Sequence, residues 1–286
     1  INDNGGRAVE ADWIMTATGT STFSGPGPSV SSNPGFVAGT YILSESPGPT
    51  GYEASTWVCD GGTQTDGNTI ILEHGDVVTC TITNDDISPT LVVEKTIVND
   101  DGGTETNRNL FGLRVDEVNV LHNAVNEFDA GAHIVSEDGL PEEYLAGDWG
   151  GDCAANGSIT LALAQEATCT ITNDDKSPTL TVINNVINDN GGLLGPDDFG
   201  LKVDGGTVLD GVANEFSAGP HTVSSTVVTG YQPGVWGGDC APDGTVTLAL
   251  GQDATCTMTN EDISATLAII KTLLNNNGGT ETDKIA

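Results

Sequence analysis

The chain has 286 residues, of which 41 are Asp or Glu and only 8 are Lys or Arg, so its formal net charge is −33. Proteins hold a nucleic-acid backbone with clusters of Lys and Arg, and no such cluster is present, which excludes a nucleic-acid partner. Apolar runs are short, as at residues 267–270, whereas a membrane-spanning helix needs about 20 apolar residues. We therefore expect no membrane insertion by this chain.

The composition and the local patterns predict strands joined by tight turns. Glycine contributes 38 residues and aromatic residues only 5%, while Thr, Val, Asn and Asp are abundant. Residues 18–35 form a Gly/Pro/Ser-rich insertion, for which we predict an exposed loop. Apolar residues then alternate with polar ones in short segments, and no segment keeps a helical period. The predicted strands, in chain order, are 90–97, 133–137, 158–163, 168–172 and 200–204.

Internal repeats set the domain organisation. The segment TCTITNDD at residues 79–86 recurs at 168–175, and as TCTMTNED at 255–262. The turn sequence NDNGG at residues 2–6 recurs in closely related form at 99–103, 188–192 and 275–279. A period of about 90 residues is too long for a solenoid unit and suits self-contained domains. We predict an all-β tandem array of three β-sandwich domains at 1–88, 89–177 and 178–264, hereafter repeats one, two and three, followed by one strand within 265–286.

The cysteines fall two to a repeat. They are Cys59, Cys80, Cys153, Cys169, Cys240 and Cys256. Regular placement suggests a disulfide within each repeat, because two thiolates without a recurring histidine at ligand spacing make a poor zinc site. Disulfides persist in oxidising compartments, which predicts an extracellular protein.

The repeats resemble the SpaA-like prealbumin-fold repeats, relatives of the collagen-adhesin B-type domains of bacterial pilins and surface stalks. The resemblance covers essentially the whole chain. Its motifs are the pattern TLxVxKT in the first strand, the NDNGG turn, the segment from Tyr41 to Glu45 leading to Gly51 and Tyr52, and the final TCTITNDD strand. It implies a prealbumin-like or immunoglobulin-like sandwich and a location on a prokaryotic cell surface or in an extracellular fibre.

The resemblance also implies a candidate crosslink. In some members of that superfamily, a lysine of the first strand joins an asparagine of the last strand through an amide bond, assisted by an acid on a neighbouring strand. The matching residues in repeat two are Lys95, Asn173 and Glu137. Repeat three has Asn184 and Ser225 at the lysine and acid positions. A plain salt bridge, or no contact at all between exposed charges, is the alternative for repeat two.

The first strand of repeat one is not found in this sequence, although Glu45 and Asn84 are present. Residues 266–274 have the pattern of a first strand with no repeat after it. The strand carrying Thr266, Leu267, Ile269, Ile270 and Lys271 is therefore a candidate donor to repeat one of another copy, where Lys271 would approach Glu45 and Asn84. The alternative is a continuous array in which the missing strand lies upstream in the same protein.

Clusters of Asn and Asp at strand ends raise the question of calcium, for which Asp85, Asp86, Asp174 and Asp175 are the candidates. They lack the spacing of an EF-hand, and Asn and Asp also favour turns for local reasons, which is the preferred interpretation. We expect no other cofactor. The sequence has no nucleophile elbow, zinc-protease motif or phosphate loop, so an enzyme is not expected.

These observations predict a structural subunit of an extracellular filament or surface stalk, whose partners are copies of itself in a head-to-tail polymer. The alternative is an adhesin or ligand-binding surface protein in which the repeats serve as a spacer. A binding function would set one repeat apart, and the insertion at 18–35 is the candidate for such a difference.

Overall fold

The computed structural model describes residues 1–280 and consists of strands and turns. The helical segments in this range are three 3₁₀ turns, at Glu10–Asp12, Arg108–Phe111 and Pro196–Phe199. In the described part of the chain, no helix combines the length and apolar character needed to cross a bilayer. The all-β prediction is confirmed.

Repeat one contains nine strands, most of them in one sheet. They are β1 (Ile14–Gly19), β2 (Thr22–Pro26), β3 (Gly39–Glu45), β4 (Tyr52–Ala54), β5 (Val58–Asp60), β6 (Thr63–Gln64), β7 (Thr69–Leu72), β8 (Thr79–Thr81) and β9 (Asn84–Asp86). The main sheet has the order β2-β1-β3-β7-β6, and two pairs, β4-β9 and β5-β8, stand apart from it.

Repeat two also contains nine strands, in two sheets. They are β10 (Thr90–Val98), β11 (Leu113–Val115), β12 (Val118–Asn119), β13 (Val125–Glu127), β14 (Gly131–Glu137), β15 (Tyr144–Ala146), β16 (Gly150–Gly151), β17 (Ser158–Leu161) and β18 (Glu166–Asp175). One sheet has the order β13-β10-β18-β15 with β16 also paired to β18, and the other has the order β12-β11-β14-β17.

Repeat three reproduces the arrangement of repeat two. Its strands are β19 (Thr179–Ile187), β20 (Lys202–Val203), β21 (Gly206–Thr207), β22 (Ala213–Glu215), β23 (Gly219–Ser224), β24 (Tyr231–Pro233), β25 (Gly237–Gly238), β26 (Thr245–Leu248) and β27 (Asp253–Asp262). Its sheets have the orders β22-β19-β27-β24, with β25 on β27, and β21-β20-β23-β26. Matching topologies at one sequence period show that repeats two and three share one fold.

Each repeat has its own apolar core. In repeat two, alternate residues of β10, Leu91 and Val93, meet Val115 and Val135 from the other sheet, and all four are at most 1% exposed. Alternation with period two places these side chains on one face of each strand. Burial of apolar side chains between two sheets is the main stabilisation of such a sandwich.

The three disulfides predicted from the cysteine spacing are present. They join Cys59 to Cys80, Cys153 to Cys169, and Cys240 to Cys256. The pairs in repeats two and three lie in the cores, and closing a loop of about 15 residues is worth roughly 3 kcal/mol. The cysteine prediction is therefore confirmed.

Contacts divide the chain into two compact units. The first comprises Ile1–Asn99 and Thr104–Asp174, and the second comprises Asp100–Gly103 together with the residues from Asp175 onward. Repeats one and two thus pack within one unit. The short turn 100–103 belongs with repeat three, although its sequence lies in repeat two.

Repeat one departs from the predictions in two places. The insertion predicted as an exposed loop forms in part an edge strand, because β2 pairs with β1 from Ile14 opposite Pro26 to Thr18 opposite Thr22. The last strand of repeat one is also interrupted, as β8 and β9, whereas β18 and β27 each run without a break for 10 residues.

Candidate crosslinking site

The first and last strands of repeat two place Lys95 and Asn173 on the same face of one sheet. β10 pairs with β18 in parallel over nine residue pairs, with Lys95 opposite Ile171 and Ile97 opposite Asn173. Side chains two residues apart on a strand share a face, so Lys95 and Asn173 are diagonal neighbours pointing into the core. Both are at most 1% exposed.

Glu137 connects these two side chains. It is the last residue of β14, in the opposite sheet, and its Oε1 forms an ion pair with Lys95 Nζ. Its other oxygen, Oε2, accepts a hydrogen bond of 3.2 Å from Asn173 Nδ2. The sequence prediction that these three residues meet therefore agrees with the geometry, and the alternative of exposed charges at strand ends is excluded.

The environment of the lysine is apolar. Lys95 Nζ lies 4.3 Å from the centre of the Phe111 ring, and this ring is itself fully buried. Burial lowers the pKa of Lys95, and the hydrogen bond and charge of Glu137 oppose this shift only in part. The net lowering makes the neutral amine easier to reach than it is for an exposed lysine.

Asn173 presents its carbonyl group without a partner. Its Oδ1 is buried and, within the described residues, accepts no hydrogen bond. A buried polar atom without a partner costs about 1–3 kcal/mol, so this arrangement requires an explanation. An amine held by a carboxyl group next to an amide carbonyl is the arrangement needed for amide exchange, with Glu137 positioned to accept the ammonium proton and to interact with the leaving amide nitrogen.

Repeat three has a neutral replacement at the same position. Asn260 Nδ2 donates a 2.7 Å hydrogen bond to Asn184 Oδ1, and Asn184 Nδ2 donates to Pro196 O at 3.1 Å. Ser225, at the acid position, contacts Met258. Loss of the lysine and the acid together avoids an unpaired buried charge, which would cost several kcal/mol. Repeat three contains no nucleophile at this position and serves as an internal control.

Repeat one holds two of the three residues. Asn84 Nδ2 donates a 2.9 Å hydrogen bond to Glu45 Oε2, just as Asn173 does to Glu137. A groove of about 340 Å³ opens beside this pair, lined in part by Trp13, Met15 and Ile82. The position of Lys95 has no counterpart here among the described residues.

In repeat two, β10 pairs along one edge of the last strand, β18. The corresponding edge of the last strand of repeat one is open. Ile1 alone occupies the end of this position: its amino group donates to Asn84 O, and its carbonyl oxygen accepts from Asp86 N at 3.2 Å. By alignment of the turns, Ile1 corresponds to Val98, the last residue of β10. The remaining edge, through β8, has no strand beside it among the described residues.

The segment after repeat three contains no strand in its described part, residues 263–280. Its apolar side chains are largely exposed: Leu267 is 86% exposed and Ile269 is 87% exposed. In β10 the aligned residues, Leu91 and Val93, are fully buried. The segment therefore exposes the face that a first strand normally buries.

The calcium candidates of repeat one serve a turn. Oxygens of Asp3, Asp85 and Asp86 lie within 4.8 Å of one another. However, Asp86 already accepts hydrogen bonds from the backbone of Asn4 and of Gly6, at 3.0 and 2.7 Å. Asp175 accepts equivalent bonds from the turn at 101–103, while Asp85 and Asp174 are exposed. The geometry therefore favours turn capping, the preferred interpretation of the sequence.

Sequence reasoning missed one recurring ion pair. His133 Nδ1 contacts Asp116 Oδ2 at 2.6 Å, and His221 Nδ1 contacts Asp204 Oδ2 at the same distance. The signal that could have revealed it is the equal spacing, because each Asp precedes its His by 17 residues. Burial would lower the pKa of His133, but the hydrogen bond with Asp116 and that with Asp129 O raise it overall.

Comparison with known proteins identifies the fold family. A family model described as a prealbumin-like fold domain matches residues 1–82, 86–171 and 175–258. Among curated proteins, none matches.

Solved structures give remote similarities. The Bacillus anthracis TIE protein is 13% identical, with a TM-score of 0.38 over 88% of this chain and 52% of its own length, so the chain spans about half of that structure. A C-terminal fragment of the pilus adhesin SpaC from Lactobacillus rhamnosus GG is 14% identical, with a TM-score of 0.31 over 64% of this chain and all of the fragment. The three family matches together cover most of the sequence, and the chain belongs to the SpaA_2 family of prealbumin-like fold domains.

Proposed function

We propose that this chain is a structural subunit of an extracellular filament or surface stalk of a prokaryote, in which copies join head to tail by donation of a strand. The observation that carries the proposal is that repeat one lacks, within the described residues, a strand along one edge of its last strand, and that the segment after repeat three has the sequence pattern of such a strand. Repeat one has an open strand edge and an Asn84–Glu45 pair, and residues 266–271, which lie outside any sheet of the described residues, carry a first-strand pattern with a lysine in the required place.

Alignment gives the register expected for the donated strand. Thr266 corresponds to Thr90, so Leu267 and Ile269 would enter the core of repeat one, and Lys271 would take the place of Lys95. Main-chain hydrogen bonds along the edge would give affinity, and the alternate side chains would give specificity. The donor then contacts one recipient, whose own donor contacts the next, and this produces a polymer.

The structure of repeat two supports a covalent version of the contact. In the proposed step the Lys95 ammonium first gives a proton to Glu137. The neutral amine then attacks Cγ of Asn173, a C–N bond forms and the bond from Cγ to Nδ2 breaks. Nδ2 leaves as ammonia after it takes a proton from Glu137, and Glu137 takes up the proton that the Lys95 nitrogen loses on becoming an amide. Lys271, Glu45 and Asn84 would react in the same way between copies.

Intact mass after reduction and denaturation tests the step in repeat two. We expect the wild-type chain to weigh less than its sequence mass by one ammonia. Lys95→Arg, which keeps the charge but removes the amine nucleophile, should show the full sequence mass. A wild-type chain at full sequence mass would refute the crosslink, and would leave a buried salt bridge between Lys95 and Glu137.

Strand donation is tested with a matched pair of variants. Ile269 aligns with buried Val93, whereas Ile270 aligns with Glu94, which is exposed in repeat two. Ile269→Glu should abolish fibres in electron micrographs, because it places a charge in the groove, and Ile270→Glu should assemble normally. Lys271→Arg should assemble but give no covalent ladder in reducing, denaturing gels. Equal assembly of the two isoleucine variants would exclude strand donation in this register.

A further inference from the structure

Repeats one and two are in contact where a turn of repeat one meets the residue that precedes β14 of repeat two. Ala130 N donates a 2.7 Å hydrogen bond to Asn4 O, in the turn at residues 2–6. The next residue, Gly5, has φ of +87°, and a Cβ atom built there would lie 2.5 Å from Ala130 O. A side chain at Gly5 is therefore excluded both by the backbone conformation and by the approach of repeat two.

A second backbone bond lies in the connection between the two repeats. Ala164 N donates to Ile87 O at 2.8 Å, and Ile87 is the first residue of the connection that leads to β10. Ala164 has φ of +58°, in the left-handed region. We call the pair of bonds, from Ala130 N to Asn4 O and from Ala164 N to Ile87 O, the junction clip.

The second compact unit contains the same clip. Ala218 N donates to Asp101 O at 2.6 Å, and Gly251 N donates to Lys176 O at 2.9 Å. Gly102 has φ of +95°, and a Cβ atom there would lie 2.7 Å from Ala218 O. The two clips lie at equivalent positions but are formed by different residues. The contact therefore recurs between successive repeats and does not depend on side-chain identity.

Both halves of a third clip are present in the chain. By alignment, Ala38 and Gly75 of repeat one correspond to Ala130 and Ala164, and the structure records no bond from either amide within residues 1–280. Asn190 and Ile263 of repeat three correspond to Asn4 and Ile87, and their carbonyl oxygens accept no recorded bond within that range. Gly191 has φ of +98° with no atom within 4 Å of a Cβ there.

We propose that these halves bind each other between two copies of this chain: Asn190 O accepts from Ala38 N, and Ile263 O accepts from Gly75 N. The proposal rests on the head-to-tail assembly proposed above and specifies its interface. Its occupant is a second copy, because donation of the strand that begins at Thr266 would bring the end of repeat three of one copy next to repeat one of another, and the internal clips join successive repeats at the same positions. The spacing agrees, since Ile87 and Ile263 each precede the first strand residue by three positions, at Thr90 and Thr266.

Amide hydrogen exchange on the full chain tests the clip, with internal references. The Ala130 and Ala218 amides should exchange slowly at every protein concentration, because their bonds lie within the chain. The Ala38 and Gly75 amides should exchange fast in dilute solution and at least ~10-fold more slowly in the associated state. Association without this protection would overturn the clip and leave the proposed assembly standing.

A matched pair of glycine variants provides the second measurement. Gly191 and Gly205 both have positive φ, at +98° and +84°, and both have open space around them, but only Gly191 lies in the clip. Gly191→Ala should weaken association at least ~10-fold in sedimentation experiments, whereas Gly205→Ala should leave it unchanged, because both carry the same kind of backbone strain. Equal association of the two variants would overturn the clip. A wild-type chain that stays monomeric at all concentrations would overturn both the clip and the proposed assembly.

Discussion

His133 and His221 occupy a position that Tyr41 holds in repeat one. His133 Nε2 contacts Asp129 O at 2.8 Å, and the Tyr41 hydroxyl donates to the carbonyl oxygen at the equivalent residue, Val37. Each ring thus ties its strand to the segment just before it. The histidines add a second contact through the other ring nitrogen, to Asp116 in repeat two. A tyrosine can replace the first contact but has no group for the second.

This difference makes the stability of repeat two depend on pH. The raised pKa of His133 means that the folded state binds a proton more tightly than the unfolded state does, so the contribution is complete below the unfolded pKa, near 6.5, and is lost as pH rises through the folded pKa. We expect His133→Tyr to lower the free energy of unfolding by about 1 kcal/mol at about pH 5 and by less at about pH 8.

Urea denaturation at several pH values measures this effect, with Asp116→Asn as the control. That variant should flatten the pH dependence in the same way while keeping the ring contact to Asp129 O. A difference between wild type and His133→Tyr that stays constant from about pH 5 to about pH 8 would show that the charge of the histidine is not involved.

At the level of elements, the NDNGG-type turns of repeats one, two and three are each held by an aspartate of the last strand of the same repeat. Asp86 accepts from the amides of Asp3, Asn4 and Gly6, and Asp262 accepts equivalent bonds from the turn at 189–192. Burial would raise the pKa of Asp86, but these backbone donors lower it overall. The same turn carries the carbonyl group of the junction clip, so the carboxylate fixes the interface as well.

Neighbouring aspartates allow this to be tested in repeat one. Asp86→Asn should expose the Gly6 amide to hydrogen exchange and cost about 1–2 kcal/mol, because the charge-assisted bonds are weakened. Asp85→Asn, one residue away and exposed, should change neither. If both variants were equally destabilised, and only when calcium is present, the turn would be a metal site and the capping interpretation would be wrong.

Strands, repeats and disulfides could be predicted because they leave local signals. The strand predicted at 90–97 is observed at Thr90–Val98, and the one predicted at 168–172 lies within Glu166–Asp175. The break between β8 and β9 could not be predicted, since residues 79–86 match the unbroken β18 closely in sequence. The sequence of a segment does not show whether a partner strand lies beside it. Strand pairing depends on that partner, so the same sequence can form an unbroken strand in one repeat and an interrupted one in another.

Some features of the candidate site could likewise be predicted from the sequence, and others could not. Lys95 and Asn173 could be matched through the resemblance, whereas the sequence left open whether the charges are buried or exposed. The unpartnered Asn173 Oδ1 could not be foreseen, because it depends on where the Glu137 carboxylate lies relative to the side chains of β18. The junction clip was also missed, since it uses backbone groups, and these leave little mark in the sequence except glycine at positions such as Gly5 and Gly102.

At the scale of the whole molecule, the charge of −33 opposes assembly, because every copy repels every other. The screening length falls from about 30 Å at 0.01 M salt to about 8 Å at 0.15 M. We therefore expect association to strengthen by roughly tenfold, or about 1.4 kcal/mol, over this range of sodium chloride. Sedimentation velocity at fixed protein concentration would measure it.

Calcium chloride at matched ionic strength is the comparison for that series. Equal effects of the two salts indicate screening alone, and a much larger effect of calcium indicates a bound ion. Weaker association at high salt would show that attraction between opposite charges holds the copies together, contrary to an interface made of backbone bonds and buried apolar side chains.

The parallel pairing of β10 with β18 also decides how repeat two responds to tension. The chain enters this repeat through β10 and leaves it through β18, so a pull on the two ends drags these neighbouring strands in opposite directions along their length. Their hydrogen bonds, spread over nine residue pairs, then resist in shear and must break together, where an antiparallel pair pulled from one end would unzip bond by bond. In a chain without the Lys95–Asn173 amide, that ladder sets the force needed to rupture the repeat, and in a crosslinked chain the amide bond carries the load between the two strands.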